Sequence, residues 1–476
     1  MAEAGAVAVR TAVARDAATG SAAAAPYVEP FRKLFREHGA ALAVDAADAA
    51  ARAAALEELA ATGFPLRHDE DWAHTPLRPV VEQTYRLGRA AAGPIHLDGV
   101  AAALVAGEPV ALVTSNGAGA ATDTGTGGGV PESANRAGKC KWPSGACDDS
   151  SAPHRTAPPA ATLFTRPTGS AFTRLARAFG RRYELHLDAA AGAVPVHLVH
   201  LTAAGMLSAP RVRIRIAAGA RVILVETFAA AGPVAAAPSL ACGDTEIHLG
   251  AGSALTYVRV QAAAADSFDL GSTTVVQERD SELHALSMAV GARLARHTLN
   301  LLATGPGTSS RLGGAAVAGG ASAEDAPAPQ LIDNHTYLEH AAPSCASRQL
   351  YKMVLGARGH GVFSGRILVR AVAQQTDAFQ LNQNLLLDDA VVDTKPQLEI
   401  GADDVRCTHG ATTGRLNQDQ MFYLQTRGIP RPAAGQMLAR GFLDEVVGDL
   451  PAAALRPRLL ALLHRRLDRL AWSPNS

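Results

Sequence analysis

The sequence has no excess of charge of either sign: lysine plus arginine and aspartate plus glutamate number 44 each. That balance removes the basic footprint of a nucleic-acid-binding protein and leaves no net field to steer a charged polymer. No stretch approaches the roughly 20 consecutive apolar residues of a membrane span, so no membrane association is expected. The Ala-rich start carries Glu3 and Asp16 and has no continuous apolar h-region, which argues against secretion. The five cysteines, Cys140, Cys147, Cys242, Cys345 and Cys407, are an odd and scattered set, as in a reduced cytosolic protein. A cytoplasmic location is expected, or an organellar one if residues 1–25 act as a transit peptide. A Walker motif is also missing, because Gly138-Lys139-Cys140 lacks the upstream glycine and the Ser or Thr that cradle phosphate; no nucleotide is expected to bind this chain.

What is present divides the 476 residues into five parts. Residues 1–25 read as an unstructured N-terminus. Residues 26–114 read as a helical domain, since Phe31, Leu34 and Phe35 recur at helical spacing and Leu56 and Leu59 follow in an Ala-rich segment. Gly63-Phe-Pro-Leu-Arg-His-Asp-Glu-Asp-Trp72 is too rich in breakers and charges for a core element and reads as an exposed ordered loop with Trp72 as a packing anchor. Residues 115–160 are dominated by Gly, Ser, Thr, Ala and Pro, the composition of a disordered insertion. Cys140 and Cys147 lie inside it, spaced too widely for a zinc knuckle.

Residues 161–415 have a different pattern. Val212–Ile216, Gly219-Ala220 and Val222–Val225 form a strand, tight turn and strand; Glu246–Leu249, Gly252-Ser253 and Leu255–Val258 repeat it, and Val275–Gln277, Asp280-Ser281 and Leu283–Leu286 repeat it again. Such units at irregular spacing are the signature of a solenoid, in which each coil buries its apolar face by stacking on the next. A parallel β-helix fits better than a sandwich, although period 2 alone leaves a jelly roll open. Residues 416–476 read as helical: Asn417 and Gln420 form a capping pair, Leu438, Phe442, Val446 and Leu450 recur at i+4, and Leu459, Leu463, Leu467 and Leu470 follow among arginines. These faces need cover from either the solenoid or a partner subunit.

A series of segments then occurs in a fixed order: Asp333-Asn-His-Thr336, Glu339-His340, Ser347-Arg-Gln-Leu-Tyr-Lys352, Val362-Phe-Ser-Gly-Arg-Ile367, Gln374-Gln-Thr-Asp-Ala378 and Gln380-Leu-Asn-Gln-Asn-Leu-Leu-Leu387. Pro396–Ile400, Val405-Arg-Cys-Thr-His-Gly-Ala-Thr412, Phe422-Tyr-Leu and Arg427-Gly-Ile429 close the series. The series resembles the core of the SufB/SufD scaffold family of iron-sulfur cluster assembly. His409-Gly-Ala-Thr412 in place of a Glu-centred His-Glu-Ala-Thr, together with Pro65-Leu-Arg67 and Asp69-Glu-Asp-Trp72, resembles the SufD branch. The resemblance implies a right-handed parallel β-helix flanked by helical domains, acting as a scaffold rather than a turnover enzyme. It also implies a SufB-type partner along the β-helix, a SufC-type ATPase docked on the C-terminal helices at Phe422, Tyr423, Leu438, Phe442 and Val446, and sulfide from a cysteine desulfurase system. A transient iron-sulfur cluster or iron at the partner interface, and a flavin on the assembled complex, belong to the same expectation, as does a role in iron acquisition.

Cys407 and His409 are the principal site candidates. At i and i+2 of a strand they project from one face, side by side. Thiolate and imidazole both accept iron, but two ligands make an open site until a partner chain adds more. His335, Glu339 and His340 are secondary candidates that would equally form a hydrogen-bonded ladder on the solenoid face. Two other classes remain open: a β-helix polysaccharide lyase or hydrolase using Asp377, Asp388, Asp389 and Asp393, and a purely structural solenoid adaptor.

Overall fold

The structure, a computed structural model, describes residues 17–87, 110–115, 118–120, 164, 169–189, 195–231, 237–320 and 329–470; for 17–26, 110–113, 115 and 118–120 it gives the backbone path alone. Cys140, Cys147 and most of the expected insertion lie outside the described residues.

The core is a parallel β-helix built from two sheets. From Phe268–Gln277 onward every coil contributes one strand to each sheet, whereas in the two coils before it the first-sheet strand is interrupted, as in Leu240–Ala241 and Asp244–Leu249, which both pair with Phe268–Gln277; successive coils stack in parallel register. In the second sheet the register runs Val222, Leu255, Leu283, Ser310, Ser347, Ala378, Cys407. In the first sheet Ile214, Ile247, Val275, Leu301, Leu338, Ile367 and Leu398 form one aliphatic column. Inward-facing residues of both sheets make a continuous core, so each coil's apolar face is covered by its neighbours, as the sequence pattern requires. Reversals fall at the expected glycines: Gly219 and Gly252 have φ of 70° and 65°, a left-handed conformation that a Cβ would strain.

The lumen also holds polar groups, of which the cluster around Glu226 is paired. Glu226 is fully buried and accepts from Tyr257 Oη at 2.6 Å and Thr245 Oγ1 at 2.8 Å, with His200 Nε2 at 3.0 Å. Desolvation works to raise this carboxyl, but His200 and the hydroxyl donors hold it below its ordinary value.

The flanking helices cover the sheets' outer faces. Helices Ala17–Leu42, Ala46–Thr62 and Ala171–Phe179 share one apolar cluster with Leu207, Leu240, Phe268 and Leu294 of the first sheet. Helix Ala171–Phe179 therefore packs with the N-terminal helices, although the sequence placed it in the solenoid segment. The helix expected from Tyr27 starts at Ala17, so residues 17–25, expected to lack structure, are helical; alanine favours this. Strand Val110–Ser115 pairs in parallel with Val196–Thr202 and antiparallel with Ala118–Ala120. The second sheet thus begins before the expected start at 161 and reaches into the span read as insertion, because a short Val-Ala-Leu-Val run fits a β-ladder as well as a helix.

The C-terminal helices, Gln418–Thr426, Arg431–Gly448 and Arg456–Asp468, lie against the second sheet. Asn417 caps the first, its side chain accepting from the backbone of Asp419 and Gln420. Leu443, Val446, Leu459, Leu463 and Leu467 are buried with Val225, Val258, Val260 and Met288. The solenoid itself therefore covers the leucine-rich faces.

Candidate functional site

The last coil, strands Val391–Ile400 and Arg406–Gly414, forms the open mouth of the solenoid. Each strand pairs on one side only among the described residues, with Gly359–Val369 and Asp377–Leu386 respectively. Their outer edges therefore present unpaired backbone N–H and C=O groups, a template for another strand. Exposed Val372, Val391 and Ile400 rim this end.

Cys407 and His409 stand in register with Ala378 and Gln380, both buried in the lumen. They share the inner face of the mouth strand, as period 2 requires. Cys407 is half-buried and packs against the core. Burial raises its thiol above the ordinary value, with Asp377 adding to the shift, so the free chain holds it protonated at neutral pH. His409 is exposed. Among the described residues no group of three or more His, Cys, Asp or Glu is placed to hold a metal. The pair alone offers two ligands, and completing a coordination sphere requires ligands from elsewhere.

The secondary candidates lie away from this pair. Their strand, Gln330–His340, is two strands in from the mouth in the first sheet. Glu339 is fully buried and paired with Arg370, whose Nε donates at 2.6 Å. His340 bonds Ser347 Oγ at 3.0 Å. His335 lies 3.0 Å from Asp333 Oδ1. Each of the three is engaged in a hydrogen bond or ion pair. Asp333 anchors the Gly63–Trp72 loop: Arg296 Nη1 donates to Asp333 at 2.8 Å and to the Asp71 carbonyl at 2.6 Å, and Thr75 donates to the same carboxylate. The Arg296 guanidinium sits 3.6 Å from the Trp72 ring centroid. Burial works to raise Asp333, but Arg296 and His335 overcome it and lower the carboxyl to about 2. Trp72 is the anchor expected of it, and its partner Arg296 is a residue that the sequence reading did not single out.

Beneath the loop, His74 Nδ1 and His360 Nε2 approach Asp393 Oδ2 at 3.1 and 2.7 Å. A small cavity there, about 190 Å³, is lined by Glu70, His74, His335, Ser364, Asp393 and Lys395, among others. The other carboxylates weighed for hydrolysis are also engaged: Arg348 grips Asp377, and Asp389 accepts from the Arg358 backbone. They sit in separate contacts rather than as an acid-base pair.

Burial lowers His340 to about 4. A histidine depressed below its unfolded value of about 6.5 binds its proton in the unfolded chain first, so the stability it supports falls as pH drops from about 6.5 toward 4, by up to about 3 kcal/mol. Chemical denaturation at pH 7 and pH 5 should show a smaller acid-induced loss for His340→Gln than for the parent chain.

A family model for the SUF system FeS cluster assembly SufBD core domain matches residues 199–442. The iron-sulfur cluster assembly protein SufD of Escherichia coli K12 is 29% identical over 421 residues, covering 87% of this chain and 91% of that protein. A SufBD family protein of Synechocystis is 32% identical over 56% of this chain and 59% of its own length. The chloroplastic protein ABCI7 of Arabidopsis thaliana is 35% identical over 42% of this chain and 41% of its own. The first two of these relatives carry by name the family whose motif series the sequence resembles. No described helix is long and apolar enough to cross a membrane.

Proposed function

The chain belongs to the SufBD family of SUF-system iron-sulfur cluster assembly proteins, and from that premise we propose that it is a SufD-type, non-catalytic scaffold subunit. It pairs with a SufB-type homologue at the open mouth of the solenoid, where Cys407 and His409 meet the cluster or iron as cargo. The observation that carries this reading is the coincidence of three features in one coil: two strand edges unpaired among the described residues, an apolar rim, and a thiol and imidazole on the inner face. Edge pairing supplies backbone hydrogen bonds at no side-chain cost, and a partner strand bearing its own thiol would complete the ligand set.

The ATPase surface is narrower than the sequence implied. Val446 is 3% exposed and packs on the second sheet, so it offers a partner nothing. Leu438 and Phe442 are half-buried in the same cluster, and Lys352 Nζ lies 4.5 Å from the Phe442 ring centroid. Phe422, Tyr423 and Met437 remain exposed, at 69%, 57% and 50%. They form the docking face of this proposal, since aromatics and methionine are enriched at interface centres.

The test is coexpression with SufB-type and SufC-type partners followed by mass measurement of the purified assembly. The parent chain is expected to bring down both. The double variant Phe422→Asp and Tyr423→Asp should lose the ATPase, about 100-fold in affinity for two central aromatics, and keep the SufB-type partner. Recovery of the ATPase at the parent level would remove the docking face.

A further inference from the structure

Two successive coils build the same crossing of the lumen from a glutamine, and the second crossing lacks its partner. Gln349 reaches from the second sheet to the first, where Thr336 Oγ1 donates to its Oε1 at 2.9 Å. One coil nearer the mouth, Gln380 stands in register with Gln349 and Gly365 with Thr336. The hydroxyl has no counterpart there. The Gln380 amide instead occupies the space of the missing side chain, its Nε2 1.5 Å from where a Gly365 Cβ would stand. Gln380 is fully buried, and neither its Nε2 nor its Oε1 has a hydrogen-bond partner among the described residues.

A buried amide without partners is costly and calls for a group that satisfies it. Pro396 follows Gly365 on the first sheet and can donate nothing from its side chain. On the second sheet His409 follows Gln380, and Cys407 shares its strand face. The unpaired amide therefore sits one rung behind the thiol and imidazole, where the lumen opens.

We propose that Gln380 forms a buried subsite behind Cys407 and His409 that hydrogen-bonds a small sulfur or oxygen hydride, hydrosulfide or water, admitted through the mouth. The amide offers both a donor and an acceptor, matching a guest that has both, and Gly365 is the residue that leaves it room. The proposal rests on the mouth being the assembly interface.

The experiment uses the full chain copurified with its SufB-type and ATPase partners, reconstituted with ferrous iron and inorganic sulfide, with iron and acid-labile sulfide counted per complex. Gln380→Leu keeps the bulk and removes the unpaired amide, so the thermal midpoint of the isolated chain should hold or rise. Cluster content should fall roughly ten-fold, the loss of one buried hydrogen-bonding group. Gly365→Ala keeps the amide but displaces its end and crowds the buried Phe363 ring, whose Cζ lies 2.8 Å from the added Cβ; once its thermal midpoint shows that it folds, it should give the same fall, and it decides the matter if Gln380→Leu fails to fold. If hydrosulfide is the guest, the variants need more sulfide to reach half-assembly; if water is, the plateau drops at every sulfide concentration. Parent-level assembly by the folded Gln380 or Gly365 variant, with His409→Ala defective, overturns the subsite and spares the interface. Parent-level assembly by His409→Ala as well overturns both.

Discussion

Deleting residues 418–470 is expected to produce a chain that aggregates or melts far below the parent, not a solenoid that has merely lost a partner. Leu443, Val446, Val447, Leu450, Leu459, Leu462, Leu463, Leu467 and Leu470 are all buried, in a cluster that includes outward-facing residues of the second sheet. Each such side chain contributes about 1.5–3 kcal/mol on burial, so their sum is comparable to or larger than the roughly 5–15 kcal/mol net stability of a typical domain. Removing them also uncovers Val225, Val258, Val260 and Met288, a contiguous apolar face of the kind that drives association. Size-exclusion chromatography and thermal denaturation monitored by circular dichroism measure this directly. A monomeric truncated chain with an unchanged midpoint would mean that the helices contribute little to the fold. Partner loss on truncation is therefore uninformative, and the exposed pair Phe422 and Tyr423 is the proper probe of docking.

The same helices mark the limit of what the sequence discloses. Their existence, cap and leucine period were legible, because capping and 3.6-residue spacing are local properties. What covers those leucines depends on a sheet assembled from residues far away in the chain, and spacing carries no information about it. The coils were legible for the converse reason: strand, glycine turn and strand recur, and stacking is the one arrangement that buries every repeat. The start of the second sheet was missed because Val110–Ser115 is a single short run whose pairing partner, Val196–Thr202, is distant.

The site divides in the same way. That Cys407 and His409 share a face follows from period 2, but their position at an open end follows from which coil is last. His335, Glu339 and His340 attracted notice as a dense polar group. Their partners are Asp333, Arg370 and Ser347, of which the last two lie outside the strand Gln330–His340, at positions that residue spacing does not disclose. Gln380 lay in plain sight within the motif series, and only the comparison of Thr336 with Gly365 across the lumen distinguishes it from Gln349.

Replacing His409 with Ala should abolish cluster assembly while complex formation and stability survive. The imidazole is exposed on the mouth strand, so its removal should change stability by no more than about 0.5 kcal/mol, as for other surface positions without special contacts. A core histidine would behave otherwise, costing about 1–3 kcal/mol through the partner left unsatisfied, with function falling only in proportion. Complex recovery should also persist, because one side chain at the rim of a large interface contributes little to affinity. Cys407→Ser should have an equal or smaller effect on assembly: its thiol is held protonated by burial, and the partner strand is expected to bring a thiol of its own. Thermal midpoint, copurified partner and iron per complex, measured together on His409→Ala, separate a ligand or sulfur-handling role from a structural one. An Ala variant that folds, pairs and carries a normal complement of iron and sulfide would place the chemistry elsewhere on the scaffold.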